Sequence, residues 1–352
     1  MQLSHSQEAF LALVRSGLWE TSVKLDYLAP INYSALVSIA EVQRVVGLVA
    51  AGLELSDLKV PKTIRLSIVG KALQIEQRNV LMGEFTAEIV ERLREVELRP
   101  LLVKGQGVGQ CYARPQWRAS GDIDFFFSKE EYPKAVLFFL RLKGAKVVQN
   151  ARYTKSFGVV VNSWFIEIHG TLRNGLSTKM DREIDKVQMD LFHGGRVRSW
   201  INEHTRVLLP GVNEDVFLVF VHFVRHFYKE RVYIRQLCDW CRLLWSFRSE
   251  IDIELLELRL KCSGLVTEWK VFSSFVVDYL GMPIDSMPLY DSQFKAKSFK
   301  IMEIILEGNT SSKIKDTWHK MKVFPFNTLK FLPGIFFNLN WLKVKELLCH
   351  AS

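Results

Sequence analysis

The chain has 352 residues, of which 48% are hydrophobic and 24% are charged, and its formal net charge is +9. This composition is ordinary for a soluble globular protein, and because no run of about 18 apolar residues occurs, we expect no membrane-spanning helix. The modest excess of positive charge favours anionic partners such as nucleotides, nucleic acid or acidic membrane surfaces. The length is large for one hydrophobic core and predicts two or three subdomains.

The N-terminus and the cysteines indicate the cellular location. The first residues lack the basic start and the apolar segment of a signal peptide. The cysteines are odd in number and widely spread, at Cys111, Cys238, Cys241, Cys262 and Cys349. We therefore expect reduced thiols in a cytoplasmic protein. The one Cys-x-x-Cys pair lacks a second pair of ligands, which favours a structural role over zinc binding.

Residues 1–98 are predicted to be helical. Two shorter amphipathic stretches precede a long one from Lys62 to Glu97, in which aliphatic side chains on one side alternate with Lys, Arg and Glu on the other. Pro100 ends this pattern, because proline cannot continue a helix. We expect the long helix to pack on a sheet that begins at Leu101.

The stretch Leu101–Phe127, LLVKGQGVGQCYARPQWRASGDIDFFF, carries the strongest functional pattern. It predicts a strand, a glycine turn at Gly105 and Gly107, a short helix and a second strand. Side chains two residues apart in a strand point to the same face, with about 6.5–7 Å between their Cα atoms. Asp122 and Asp124 therefore project together and repel each other. Hard oxygen ligands of this kind suit Mg²⁺ or Mn²⁺ rather than zinc.

A helix, a strand and a hairpin are predicted after the aspartates, at Lys129–Lys143, 145–149, Tyr153–Val161 and Trp164–His169. In the last strand Glu167 stands between two isoleucines, as expected when a strand turns one polar side chain toward a site. Glu167 is therefore a candidate third carboxylate. If the strand continues through His169, that side chain shares the face of Glu167. The sequence does not decide whether this strand lies beside the aspartates.

Three motifs together resemble a known family: LVKGQG, Arg118-x-x-Gly-Asp-Ile-Asp, and IEIHGTL. They are similar to the bacterial family of uncharacterised nucleotidyltransferases, within the polymerase-β-type nucleotidyltransferase superfamily. The resemblance spans roughly residues 85–250 and implies an α+β fold, with a small mixed β-sheet nucleotidyltransferase core and helical N-terminal and C-terminal regions. We predict an N-terminal helical region over 1–98, the catalytic core over 99–175 and a C-terminal helical region over 176–352.

The resemblance implies a metal-dependent enzyme that transfers a nucleoside monophosphate from an NTP to a hydroxyl of an unknown acceptor. Asp122, Asp124 and Glu167 are the implied catalytic residues and the ligands of Mg²⁺ or Mn²⁺, and two such ions would clamp the attacking and leaving oxygens. The implied nucleotide contacts are Lys104, Gly105, Gln106, Gly107 and Arg118. The superfamily usually has Gly-Ser or Gly-Gly at the turn, whereas Gln106 follows Gly105 here, so no serine hydroxyl is available to the phosphates.

Four further residues are candidate substrate contacts: His169, His222, His226 and Asp239. The two later histidines lie four residues apart in HFVRHFYKERVYIRQLCDW and share one face of a predicted helix over 214–229. Spacing alone favours a satisfied pair of core histidines, whereas the resemblance favours a role near the substrate phosphates. Asp239 is expected on the next helix.

Two alternative functions remain open. The first is a toxin-like nucleotidyltransferase that modifies RNA or tRNA, and the second is a catalytically inactive module of the same fold that binds nucleotide or nucleic acid. The acceptor of the enzyme could be a small molecule, a sugar, RNA or a protein. The last sixty residues are rich in lysine and aromatic side chains, which favours helical packing with a solvated basic face over a weak contact with an anionic surface.

Overall fold

The computed structural model describes residues 3–28, 30–151, 156–194, 196–307 and 313–332. These residues form fourteen α-helices and a seven-stranded sheet, which confirms the predicted α+β class. The chain divides into two compact units. The first comprises Met1–Arg173 and Ile184–Val216, and the second comprises Asn174–Glu183 and Phe217–Ser352.

Four helices precede the sheet: α1 (His5–Trp19), α2 (Tyr33–Val42), α3 (Val46–Glu54) and α4 (Lys62–Glu95). Helix α1 begins after Ser4, whose hydroxyl oxygen accepts a hydrogen bond from the Gln7 N–H at 3.3 Å. Gln7 Oε1 accepts from the Ser4 N–H at 2.9 Å. This reciprocal cap satisfies the Ser4 N–H and gives the Gln7 N–H a second acceptor besides the Ser4 carbonyl oxygen. Helix α4 confirms the long helix predicted from the sequence.

The sheet contains β1 (Leu101–Leu102), β2 (Ile123–Phe126), β3 (Lys146–Ala151), β4 (Ser156–Val161), β5 (Trp164–His169), β6 (Val197–Asn202) and β7 (Thr205–Pro210). The strands lie in the order β3-β4-β5-β2-β1-β7-β6. Strand β2 runs parallel to β5, and β1 runs parallel to β7, whereas the other neighbours are antiparallel. The predicted mixed sheet and the predicted β4–β5 hairpin are both confirmed.

Strands β6 and β7 correct one expectation from the sequence. They lie within 176–352, which we expected to be helical throughout. Their place in the sheet depends on the pairing of Leu208 with Leu101, a contact between residues far apart in the chain. Local periodicity does not reveal such a pairing. The predicted domain boundaries themselves stay a prediction.

One face of the central strands is apolar, because successive side chains of a strand alternate. The apolar face contributes Ile123, Phe125, Phe157, Val159, Ile166 and Ile168 to a buried cluster. Helix α4 adds Met82, Phe85 and Ile89 to the same cluster, as expected for a long helix that packs on the sheet. The other face carries Asp124, Glu167 and His169, together with Phe126, whose ring lies 5.0 Å from the Phe192 ring.

The remaining helices are α5 (Gly105–Gly109), α6 (Tyr132–Arg141), α7 (Thr178–His193), α8 (Val212–Lys229), α9 (Ile234–Ser246), α10 (Ile253–Ser263), α11 (Val266–Leu280), α12 (Lys295–Glu307), α13 (Lys313–Val323) and α14 (Pro325–Phe331). In the second unit, the Trp269 ring lies 4.7 Å from both the Phe220 ring and the Trp240 ring. Such aromatic contacts dominate the core of this unit. No helix among the described residues is both long enough and apolar enough to cross a membrane.

The described cysteines are free thiols. Cys238 and Cys241 are buried in α9, and burial raises the pKa of both thiols. A thiol that stays protonated is a poor nucleophile and a poor metal ligand, which agrees with a structural role for this pair. Cys349 lies outside the described residues.

The described part of the basic, aromatic C-terminal region packs within the second unit. Phe324 and Phe331 are buried. Lys320 is also buried, forms an ion pair with Asp316 at 2.5 Å and lies 5.4 Å from the Phe227 ring. These contacts favour packing for residues 313–332. A contact with an anionic surface stays a prediction, and residues 333–352 lie outside the described part of the chain.

The close approach of α1 and α3 leads to a test of the fold. A Cβ atom at Gly17 would lie 2.0 Å from the Leu48 carbonyl oxygen, whereas one at Gly70 in α4 would meet nothing within 4 Å. We expect Gly17→Ala to lower the free energy of unfolding by about 3 kcal/mol or more, because the clash is with backbone. The matched Gly70→Ala variant should raise it by about 1 kcal/mol through helix propensity. Urea denaturation measures both changes, and equal midpoints would contradict this packing.

Candidate active site

Two parallel strands bring the acidic residues together. In the register of β2 and β5, Asp124 lies directly opposite Glu167, and His169 follows two residues later on the same face. One potential ligand atom from each of these three side chains lies within 4.8 Å of the other two. The sequence predicted each of these side chains as a candidate, and the structure supplies their adjacency.

Asp124 is the most buried of the three, with 4% of its surface exposed. Its Oδ1 atom lies 2.8 Å from His169 Nε2 and 3.2 Å from Lys104 Nζ. Burial alone would raise the pKa of Asp124, but the Lys104 ammonium and the hydrogen bond from His169 hold that pKa well below its usual range. The carboxyl group is therefore ionised.

Lys104 reaches this carboxylate from an unusual backbone conformation. It follows β1 and has φ +59° and ψ −146°, a region that is populated almost only by glycine. Such a conformation costs about 1–3 kcal/mol and is typical of functional sites. Burial would lower the pKa of Lys104, but the carboxylates of Asp124, Glu167 and Asp122 outweigh it and raise the pKa. The ammonium is therefore charged.

A serine that sequence reasoning missed fixes the third carboxylate. Ser156 Oγ donates a hydrogen bond to Glu167 Oε1 at 2.6 Å. The hairpin turn at 162–163 has two successive positive φ values, 47° and 69°, and so supplies the backbone twist of a tight two-residue turn. Its register places Ser156 opposite His169, on the polar face. Pairing the residues of the two predicted strands outward from this turn would have placed Ser156 opposite His169 from the sequence alone.

The glycine turn predicted after β1 is the first turn of α5. Gly105 has φ +45°, and a Cβ atom there would lie 3.5 Å from the Asp122 carbonyl oxygen. The Gln106 side chain anchors this turn to α4, because its Nε2 donates to the Asn79 carbonyl at 3.1 Å and its Oε1 accepts from Thr86 Oγ1 at 3.2 Å. A contact between Gln106 and a nucleotide would therefore involve its backbone rather than its amide.

Three other predicted site residues surround this turn. Gly107 packs against β7, since a Cβ atom there would lie 2.8 Å from Leu209 Cδ2. The Arg118 guanidinium is buried and donates to Ser120 Oγ at 3.1 Å. Asp122 is half-buried and directly precedes β2. Their roles toward a nucleotide or a metal stay predictions.

The donor set at the polar face suits a divalent cation. Among the described residues, Asp124, Glu167 and His169 are the one group of three such side chains close enough to share an ion. Two carboxylates and one imidazole fit Mn²⁺, and the carboxylates alone also suit Mg²⁺. This group contains two of the three predicted metal ligands, Asp124 and Glu167, and its third member is His169. The predicted ligand Asp122 is not part of the group, and its role toward a metal stays a prediction.

The family model described as Uncharacterised nucleotidyltransferase matches residues 29–271, which is more than half of the chain. The chain belongs to this family of uncharacterised nucleotidyltransferases. Membership confirms the resemblance found in the sequence and supports nucleotidyltransferase activity. The acidic group at β2 and β5 lies inside the matched range. No curated protein and no solved structure matches the chain.

The family match also includes the histidine pair, which belongs to the second unit. His222 Nε2 and His226 Nε2 lie 3.1 Å apart on α8, so the predicted shared face is confirmed. His226 Nδ1 contacts Glu230 Oε2 at 2.7 Å, and Arg225 pairs with the same carboxylate at 3.0 Å. Asp239 is buried on α9, the predicted next helix. Contacts of these residues with a substrate stay predictions.

The Lys104–Asp124 ion pair leads to a test by a double-mutant cycle. Asp124→Asn leaves a partly buried ammonium without its nearest anion, so we expect it to lower the free energy of unfolding by about 3 kcal/mol. Lys104→Met with Asp124→Asn should cost clearly less than the sum of the single changes. The exposed ion pair of Glu91 with Arg94 is the control, where Glu91→Gln should cost under about 1 kcal/mol. Urea unfolding measures each variant, and strict additivity would contradict the pairing.

Glu230 provides a test by pH. Its hydrogen bond with His226 lowers the pKa of Glu230 to about 2, below the value of about 4.3 expected in an unfolded chain. Because the folded pKa is the lower one, the stability from this group is present above about pH 4.3 and is lost as the pH falls toward 2.

We therefore expect the difference in unfolding free energy between wild type and Glu230→Gln to shrink as the pH falls from about 5 to about 2.5. The difference should stay under about 1 kcal/mol, since solvent screens this half-exposed carboxylate. Glu257→Gln, which disrupts an exposed pair with Lys261, is the control. Urea unfolding at each pH measures these differences. A difference between wild type and Glu230→Gln that does not change with pH would argue against this ion pair.

Proposed function

We propose that the protein is a divalent-cation-dependent nucleotidyltransferase that transfers a nucleoside monophosphate from an NTP to a hydroxyl group and releases pyrophosphate. The observation that carries this proposal is the convergence of Asp124, Glu167 and His169 on one sheet face, in a chain of a nucleotidyltransferase family. Phosphoryl-type transfer depends mainly on positioning and electrostatic stabilisation. A preformed acidic group beside a lysine is suited to both.

The acidic residues would hold the ion. When bound, Mg²⁺ or Mn²⁺ supplies positive charge to the phosphate oxygens. Asp124 is ionised and its Oδ1 atom already faces one cation, the Lys104 ammonium, so this carboxylate is suited to bind positive charge. Ser156 orients Glu167, whose carboxylate would also orient or deprotonate the acceptor hydroxyl. Asp122, which directly precedes β2 and acts on the Lys104 ammonium, is the proposed additional ligand.

The segment after β1 would hold the triphosphate. Lys104 carries a charge that the phosphates would attract. Gly105 adopts a positive φ of 45° that glycine tolerates without strain, and this turns the backbone after Lys104. Backbone N–H groups in such a turn are suitable donors to phosphate oxygens.

The net charge of +9 bears on the acceptor. An excess of positive charge favours an anionic acceptor such as RNA over a neutral one. If RNA is the acceptor, its binding should weaken steeply as salt increases, because phosphate contacts release counterions. Salt-independent activity would favour a small hydroxyl acceptor instead.

Nucleotide binding and turnover test the proposal together. Each of the four NTPs is added with Mg²⁺, with Mn²⁺ or with EDTA, while the melting temperature and pyrophosphate release are measured. An NTP at about a hundred times its dissociation constant should stabilise the protein by about 2.7 kcal/mol. Glu167→Gln should lower pyrophosphate release by about 10²–10³-fold while the protein stays folded, by analogy with the loss of other charge-stabilising groups.

The exposed Glu88→Gln variant is the control and should retain wild-type turnover. A metal-dependent rise in the melting temperature with one NTP, together with loss of pyrophosphate release in Glu167→Gln, would support the proposal and identify the nucleotide donor. Binding of an NTP without any pyrophosphate release would favour the inactive nucleotide-binding module. If no NTP raises the melting temperature and none releases pyrophosphate, the proposed activity is refuted.

A further inference from the structure

The proposed metal site already contains a cation of the protein itself. Lys104 Nζ lies 3.2 Å from Asp124 Oδ1, the same oxygen atom that faces His169. Three carboxylates act on this ammonium, those of Asp124, Glu167 and Asp122. The ammonium therefore neutralises part of the negative charge that a divalent ion would otherwise meet.

A metal ion and the Lys104 ammonium would compete for these carboxylates. Both are attracted to Asp124 Oδ1, and two cations at one buried oxygen repel each other strongly because little water screens them. An ion that takes Asp124 Oδ1 and Glu167 as ligands would therefore displace the ammonium. This displacement weakens metal binding when no other anion is present to receive Lys104.

A phosphate chain would be such an anion. The Lys104 side chain is 24% exposed, so part of it is accessible from solvent. Its four-carbon stem is flexible and its ammonium has three rotatable donors. Gly105 follows directly, with φ +45°, so no side chain of this residue stands beside the lysine.

We infer that Lys104 is an internal counter-ion that exchanges partners during substrate binding. Without nucleotide, its ammonium occupies the carboxylate group. When a triphosphate binds, the ammonium moves to the phosphates and leaves Asp124 and Glu167 to the metal. Lys104 thereby makes metal binding and nucleotide binding mutually favourable, in addition to any direct contact between metal and phosphate. This inference rests on the proposed function.

Two binding measurements test the exchange without using turnover. The first titrates Mn²⁺ alone and follows free Mn²⁺ by electron paramagnetic resonance. The second titrates inorganic tripolyphosphate in EDTA and follows the heat of binding. Both are made on wild type, Lys104→Met, Lys104→Gly and the control Lys143→Met, which removes an exposed lysine. Lys104→Gly protects the test against misfolding, because glycine adopts this backbone conformation without strain.

We expect both Lys104 variants to bind Mn²⁺ at least about tenfold more tightly than wild type, since the competing charge is gone. They should bind tripolyphosphate at least about tenfold more weakly, since its lysine contact is gone. Lys143→Met should match wild type in both titrations.

Mn²⁺ binding that is unchanged or weaker in both Lys104 variants would overturn the exchange while leaving the proposed function intact. Unchanged tripolyphosphate binding would also overturn it, because the ammonium would then have no phosphate partner. Failure of the wild type to bind Mn²⁺, either alone or with an NTP, would instead overturn the proposed function, and the exchange with it.

Discussion

The parallel pairing of β2 with β5 is the constraint on which the candidate site depends. It places Asp124 opposite Glu167, and the two-residue period of each strand then decides what lies on either side. Ile123, Ile166 and Ile168 turn into the core against α4, so the intervening polar side chains must turn to the other face. The hydrophobic effect that buries the isoleucines thus also orients the carboxylates. A shift of one residue in the register would exchange the two sets.

Burial of a carboxylate in this position requires compensation. Asp124 is almost fully removed from water, which would neutralise an isolated carboxyl group by raising its pKa. Two neighbours prevent this: His169 on the adjacent strand and Lys104 on the loop after β1. Lys104 reaches its position at the expense of a strained backbone conformation. The ion pair between Lys104 and Asp124 therefore offsets the strain in the Lys104 backbone, and it also keeps the buried Asp124 carboxylate ionised.

Much of this arrangement could be predicted from the sequence, because it depends on local patterns. The alternation around Asp122 and Asp124, the acid between two isoleucines and the long amphipathic pattern of α4 are each visible in a few residues. Contacts set by distant pairing or by loop geometry were not visible. Strands β6 and β7 depend on pairing with β1, and the reach of Lys104 depends on backbone angles that residue types do not encode. The role of Ser156 was partly predictable, since its position depends on the register of a hairpin that the sequence does indicate.

The pairing of β1 with β7 also affects the order in which the sheet of the first unit assembles during synthesis. Strand β1 lies between β2 and β7, so one of its two edges is covered by a strand that follows about a hundred residues later. A growing chain that emerges N-terminus first would hold the glycine turn and Asp124 outside the ribosome well before β7 exists. Until then β1 has an open edge, which is a site for wrong strand pairing. The sheet around the acidic residues is therefore completed late in synthesis, and a fragment that ends at residue 175 would keep that edge open.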